Sequence, residues 1–414
     1  MADCIFDILD QLGDIARPQK KFVCGLFLTI LLLRGKVNFR NLSRYSDYHE
    51  KTYARHFRRD FAFASFNRAV LDEASAPTHT RIAAMDSSFV PKSGTETYGL
   101  ALFYDSSHDQ PAAGLEVSNL AVVDVTANTA YTLSARQTPA PAELRAAVQT
   151  LAPSWETEAA TVSRVDFYVA HWLADYTQLP DDVQLVAVDG YYAKQKFIHG
   201  VRQTERHVLG KLRHDAALRH LYTGPQKPRG RKRQYAGPVR LADLTAFTDA
   251  GEVEPGVRLY TAIVNSAQLR CTFRLVYILD TRAPHKPRYA LLFCTDTTLD
   301  AHTIVAYYRA RFQIEFVFRD AKQFTGLCDC QARAAAPLHF HFNASFTALN
   351  LAKLDAQRTF GWTGGQPLSI ATQKRVYFNE HFLQQVFLAF NLDADALKNT
   401  PTYQQLRTHG AIFV

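Results

Sequence analysis

Apolar residues recur at helical spacing through the first 78 positions, with little alternation. "FVCGLFLTILLL", residues 22–33, reads as a buried helix, and shorter helices are expected around "NFRNLSRYS" and "EKTYARHFRRDF". "EASAPTHT", 73–80, reads as a linker. From residue 81 the pattern changes. "RIAAMD", "GLEVSNLAVVDV", "AYTLSARQT" and "QLVAVD" are apolar or alternating runs and predict strands, with "TYGLALFY" at 97–104 as a further short one. Between them "TVSRVDFYVAHWLADY" sets Val162, Val165, Val169, Trp172 and Leu173 on one helical face. Residues 201–290 add strand-like runs at "VRLYTAIVNS", "RCTFRLVYIL" and "YALLFCTDT". From "TLDAHTIV" onward helices return, at 307–322, 338–358 and 379–392, the first capped by Thr298 or Asp300.

These changes of period divide the chain into segments 1–78, 79–200, 201–297, 298–360 and 361–414. The 414 residues suffice for two or three domains with sizeable cores, and 47% hydrophobic content marks a globular protein. The twelve-residue apolar run at 22–33 is well short of the ~20 residues that span a bilayer. It follows "RPQKK" without a cleavage pattern, so neither a signal peptide nor an anchor is expected. Six scattered cysteines suggest free thiols in a reducing compartment, and a cytoplasmic protein.

Charge narrows the partners. Lys and Arg number 47 against 39 Asp and Glu, a net +8 that favours a polyanion. Between Arg34 and Arg59 lie eight basic and two acidic residues, so short helices here suit a DNA-binding bundle presenting Arg55, Arg58 and Arg59. "TGPQKPRGRKRQY" carries Lys227, Arg229, Arg231, Lys232 and Arg233 with no acid, and is expected to be a disordered basic loop that contacts phosphates. The plain alternative in both places is a solvated basic surface.

Several strands end in aspartate. Asp124, Asp280 and Asp105 open turn-like or polar loops, where Asp is routine. Asp86 and Asp189 differ: Asp86 lies where a buried strand begins to leave the core, Asp189 ends a strand that passes into a helix through Gly190, and in an open sheet such ends face the ligand crevice. On neighbouring strands their carboxylates would lie roughly 5 Å apart. Two such charges need a cation between them, and Mg²⁺ accepts one or two carboxylates plus waters and phosphates. A third carboxylate from a helix would hold a second ion, as in-line displacement at phosphorus uses. Glu315 fits that role. In "YYRARFQIEFVFRDAK" Tyr308, Arg311, Glu315 and Lys322 stay within roughly 40° of one line on a single helix, while Asp320 projects about 140° away. Such cations beside a metal-binding glutamate suit the phosphates next to a scissile bond.

With strand-borne Asp86 and Asp189, a β-rich insertion and Tyr-x2-Arg-x3-Glu-x6-Lys at 308–322, the chain resembles the DDE transposases of bacterial insertion sequences. "AAMDSSFVPKSG", "LVAVDGYYAKQKF" and "YYRARFQIEFVFRDAKQFTGL" correspond to that family's three motif regions. The resemblance spans roughly 80–350. It implies an α/β, RNase H-like mixed-sheet core at 79–200 and 298–360, interrupted by a β-rich insertion at 201–297. An N-terminal helical DNA-binding domain at 1–78 and C-terminal helices at 361–414 complete the expected architecture. It further implies Asp86, Asp189 and Glu315 as catalytic metal ligands for two Mg²⁺ ions, Mn²⁺ substituting. Tyr308, Arg311 and Lys322 would hold DNA, with Arg319 and Lys194 beside them. The expected activity is cleavage at terminal inverted repeats and joining of 3′-hydroxyls to target DNA, by a homodimer assembled on double-stranded DNA in the bacterial cytoplasm at the nucleoid. A metal-dependent nuclease of the same fold, or a non-catalytic DNA-binding relative, is the alternative. Cys328, Cys330, His339 and His341 offer zinc-type ligands, but Cys-x-Cys with His-x-His lacks the usual spacing.

Overall fold

The computed structural model describes residues 1–13, 15–156, 162–283 and 288–412. In chain order the helices and strands open with α1 (Ala2–Gln11), α2 (Arg17–Leu32), α3 (Phe39–Leu42), α4 (Glu50–His56) and α5 (Phe63–Ala74). Then come β1 (Arg81–Pro91), β2 (Ala101–Asp105), β3 (Gln110–Asp124), β4 (Thr129–Gln137), α6 (Leu144–Leu151), α7 (Arg164–Asp175), β5 (Leu185–Val188) and α8 (Gln195–Arg202). A long β region follows, with β6 (His207–Leu212), β7 (Leu218–Leu221), β8 (Tyr235–Pro238), β9 (Thr248–Glu254), β10 (Val257–Ser266), β11 (Cys271–Asp280) and β12 (Arg288–Cys294). The chain closes with α9 (Ala301–Ala310), α10 (Gln313–Phe324), α11 (Ala335–Phe360), α12 (Ile370–Ala389), α13 (Ala394–Lys398) and α14 (Pro401–Arg407). The architecture is mixed α/β. No helix among the described residues is long and apolar enough to cross a membrane.

Two compact units form. One comprises Met1–Thr80, Ser87–Glu143 and Gln313–Val414; the other comprises Arg81–Asp86 and Leu144–Phe312. Strand β1 contributes its first six residues to one and its remainder to the other.

In the first unit α11 is the organising element. It is buried along most of its length, with apolar residues on all its faces and buried polar ones such as Asn343 and Asn350 among them, and it stops at Gly361, whose φ of 65° is left-handed. Two asparagines on α11 then solve a backbone problem. Asn343 exchanges hydrogen bonds with the N–H (2.9 Å) and C=O (2.8 Å) of Ala135, and Asn350 with those of Thr132 (3.0 and 2.8 Å). Strand β4 pairs only with β3, so these amides serve its other edge and leave it no template for an outside strand. Helices α2 and α5 pack on α11, with Phe22, Leu26, Phe27 and Phe66 almost wholly buried.

In the second unit the strand order is β1-β5-β6-β12-β11-β10-β7-β8, with β9 on β10. The β1–β5 and β5–β6 pairs are parallel, and β6–β12, β11–β12 and β10–β11 are antiparallel. Helix α7 is opened by a capping box, Ser163 with Asp166, and buries Trp172 fully. Helix α8 lies close against it, since a Cβ at Gly200 would sit 2.3 Å from Val169 Cγ1. The runs expected at 201–290 do form strands, and the basic segment between β7 and β8 has its ends tied. Gln226 Nε2 donates to the Arg233 carbonyl (2.7 Å), and the Arg233 N–H donates to Gln226 Oε1 (2.9 Å). An expected disordered loop is therefore a closed connection, because one glutamine side chain mimics a strand partner across it.

Candidate active site

Strand β1 is buried from Ile82 to Met85 and becomes partly accessible at Asp86. Strand β5 is four buried apolar residues ending at Val188, and Asp189 is the next residue. The two strands pair in parallel with Met85 opposite Val188. Asp86 and Asp189 therefore follow at the same level of adjacent strands, roughly 5 Å apart at the backbone. Asp189 also caps the single turn Gly190–Tyr192, its Oδ1 accepting from the Tyr191 N–H at 2.9 Å. That bond fixes one carboxylate oxygen where the strand becomes a turn.

Arg311 joins this pair. Its Nη1 lies 3.7 Å from Asp86 Oδ2, and its guanidinium is 5.6 Å from the centre of the Tyr308 ring. Only 9% of Arg311 is exposed. A buried guanidinium next to Asp86 offsets part of the negative charge that two adjacent carboxylates create.

The single helix expected over 307–322 is two helices. Helix α9 ends at Ala310, and the Phe312 N–H bonds to the Arg309 carbonyl, three residues back, at 3.1 Å. This tightened turn breaks the regular four-residue ladder without any proline or glycine. Tyr308 and Arg311 thus belong to the end of α9 in one unit. Glu315, Arg319 and Lys322 belong to α10 in the other, where Glu315 is in the first turn and Lys322 in the last. The straight four-residue stripe read from the sequence is corrected to two shorter ones.

The other expected DNA contacts are scattered over exposed surface. Arg55 and the neighbouring Arg58 and Arg59 lie at and just beyond the end of α4, Lys194 precedes α8, and Lys227, Arg229, Arg231, Lys232 and Arg233 line the β7–β8 connection. Arg319 is exposed, bonds Asp320 at 2.8 Å and covers the Phe316 ring at 4.6 Å. In the β-rich region the faces of Tyr222 and Tyr235 are covered by the guanidinium groups of Arg233 (4.5 Å) and Arg219 (3.6 Å).

Two features near α10 escaped the sequence. Lys353, in α11, is 7% exposed and donates to the Ala130 carbonyl at 2.6 Å. With Arg319, Asp320, Phe316 and Trp362 it lines a cavity of about 340 Å³. Burial pushes its ammonium down to about 8, opposed by the charge of Asp320. A lone lysine inside the apolar run "LNLAKL" was the available signal.

For metals, Asp86 and Asp189 offer hard oxygens at one level of two strands, a donor pair that suits Mg²⁺ with water completing its shell. Among the described residues no group of three or more His, Cys, Asp or Glu side chains is gathered to hold an ion. Of the zinc-type candidates, buried His341 is engaged elsewhere, its Nε2 donating to the Gly326 carbonyl at 2.8 Å.

Two neighbouring aspartates, Asp86 midway along β1 where burial gives way and Asp189 just after β5, are a donor pair that metal-assisted phosphodiester cleavage can use. No curated protein matches the chain. A model of the DDE superfamily endonucleases matches residues 27–255, a span that includes Asp86 and Asp189 and ends before α9 and α10. That span is more than half of the 414 residues, and with it the chain belongs to the DDE superfamily endonucleases.

Proposed function

We propose that this endonuclease is the transposase of an insertion sequence, acting on double-stranded DNA. It binds the terminal inverted repeats, cleaves at the element ends and joins the 3′-hydroxyls to target DNA. The observation that carries this reading is the parallel pairing of β1 with β5, which sets Asp86 and Asp189 side by side. Glu315 is added as the third catalytic carboxylate on the strength of its place in the Tyr-Arg-Glu-Lys spacing. The core is read as RNase H-like, with β6–β12 inserted and α1–α5 contributing DNA contacts.

A divalent ion held by these carboxylates, Mg²⁺ or Mn²⁺, supplies Lewis acidity at the scissile phosphate and lowers the pKa of an attacking water. The chain's own groups do the rest. Asp189 is oriented by the Tyr191 N–H. Arg311, near both Asp86 and Tyr308, carries a planar fork suited to two phosphate oxygens. Lys322 adds a point charge for the flanking strand, and Lys194 another close in sequence to Asp189. The exposed arginines of α4 and the β7–β8 connection supply sequence-independent attraction. Two copies on two element ends would make the working complex.

The test is incubation of purified protein with Mg²⁺, a duplex carrying the element end and a supercoiled target. The proposal expects nicked ends and covalently joined products. Cleavage without joined products would make the protein a nuclease of the same family, and binding without cleavage a non-catalytic relative.

A further inference from the structure

Helix α12 carries Lys374, Arg375, Phe378 and Phe382 within roughly 100° of one another around its axis. That face meets the end of α2. Lys374 Nζ donates to the carbonyl of Ile30, one of the last-turn carbonyls that α2 itself cannot satisfy. Arg34, two residues beyond α2, lays its guanidinium 4.7 Å from the centre of the Phe378 ring. Tyr45 meets the same ring edge-on at 6.4 Å. Phe382 continues the aromatic row, stacked nearly parallel to Phe378 at 6.4 Å, and is 60% exposed.

Three cations from two helix ends thus converge. Among the described residues no carboxylate forms an ion pair with Arg34, Lys374 or Arg375. Like charges so gathered weaken one another. Burial first, and then the charge of Arg34, push the Lys374 ammonium down to about 8, opposed by the charge of Asp329. Partial burial, followed by Arg375, lowers the pKa of Arg34. The segment 34–44 extends the positive rim with exposed Lys36, Arg40 and Arg44 and contains no acid. The carboxylate of Asp329 accepts from the Val37 N–H at 2.8 Å and partly offsets the charge on Lys374, but it is ion-paired with none of the three cations, so the cluster keeps a net positive charge that favours an anion. The exposed Phe382 beside them suits the apolar edge of a deoxyribose.

We propose that the α2–α12 face centred on Arg34 and Arg375 is a further contact for the phosphodiester backbone of duplex DNA. It uses residues other than the arginines of α4 and of the β7–β8 connection. It rests on the proposed DNA-directed function and adds C-terminal residues to the binding surface.

The experiment measures duplex affinity at several salt concentrations, and thermal unfolding without DNA, for wild type, Arg34→Gln, Arg375→Gln, Arg375→Lys and Phe382→Ala. Each glutamine variant should lower the slope of log K against log salt by about one and weaken binding at least about threefold at physiological salt. The same variants should unfold at an unchanged or higher temperature, because a crowded charge has gone. Arg375→Lys should keep the slope, and Phe382→Ala should weaken binding without changing it. Glutamine variants with wild-type slope and affinity would overturn the inference. So would a lower unfolding temperature with no change in slope, which marks a structural role. Loss of binding to phosphatidylserine vesicles with duplex binding intact would reassign the face to a membrane surface. If wild type cleaves duplex ends but these variants keep its slope, only this inference falls. If wild type does not bind duplex, it falls together with the proposed function.

Discussion

Arg311 Nη1 lies 3.7 Å from Asp86 Oδ2, so the arginine of the Tyr-Arg-Glu-Lys spacing meets the aspartate midway along β1. Only 9% of the residue is exposed, and its guanidinium lies 5.6 Å from the centre of the Tyr308 ring. Lysine would keep the charge but lose the fork. Arg311→Lys should lower single-turnover cleavage of pre-bound ends by at least about tenfold, within the 10²-fold that misplacement near a reacting centre can cost, while end affinity changes only a few-fold. A normal cleavage rate once bound would make Arg311 a general phosphate contact.

Neutral isosteres test the carboxylates one at a time. Asp86→Asn, Asp189→Asn and Glu315→Gln should each abolish cleavage and leave specific end binding largely intact. Gel-shift and cleavage assays on the same preparation check this. A variant with near-normal cleavage removes that residue from the catalytic set. Glu315 is the most exposed to this test, because it lies beyond the matched residues 27–255.

Metal identity gives a separate handle. Ca²⁺ accepts more ligands and looser geometry than Mg²⁺. Wild type with element ends should assemble and bind in Ca²⁺ but cleave little, chelation should stop cleavage, and Mg²⁺ should restore it. Brisk turnover in Ca²⁺ would argue against catalysis by hard carboxylate-held ions.

The basic connection between β7 and β8 should behave differently from Arg311. Lys232 is exposed and far along the chain from Asp86 and Asp189. Lys232→Gln should weaken binding to all duplex sequences alike and lower the salt slope by about one. A change confined to element ends would show sequence readout there.

Lys353 supplies a pH test. Its folded pKa of about 8 lies below the ordinary lysine value of 10.5. The unfolded chain therefore binds the extra proton between these values, and stability rises with pH across that window. Relative to Lys353→Met, wild type should gain stability from pH 8 to 10.5, by an amount on the order of 1–3 kcal/mol. Denaturant unfolding at both pH values measures it, and parallel curves would show that the ammonium is not held dehydrated.

Local periodicity and side-chain chemistry made the buried stretches from Ile82 to Met85 and from Leu185 to Val188 legible in the sequence, because a buried strand reads as a short apolar run and polarity returns where it leaves the core. The helices α2, α7 and α11 were legible for the same reason. That β1 runs on past Asp86 to Pro91 was not legible. Which strands are neighbours is not a local property. That β1 lies beside β5 in parallel, with Met85 level with Val188, depends on the intervening β2–β4, α6 and α7 packing elsewhere, and only the folded chain decided it. The break between α9 and α10 was equally hidden. "YYRARFQIEF" contains no proline or glycine, and a switch from a four-residue to a three-residue hydrogen bond at Phe312 leaves no mark on composition. Burial of Lys353 and the meeting of Arg34 with Phe378 likewise join residues hundreds of positions apart or carried on separate helices. Sequence determines what each segment prefers to be, because those preferences arise within a few residues. Tertiary packing decides which segments meet, because the free energy of burying one face depends on every other face available to cover it.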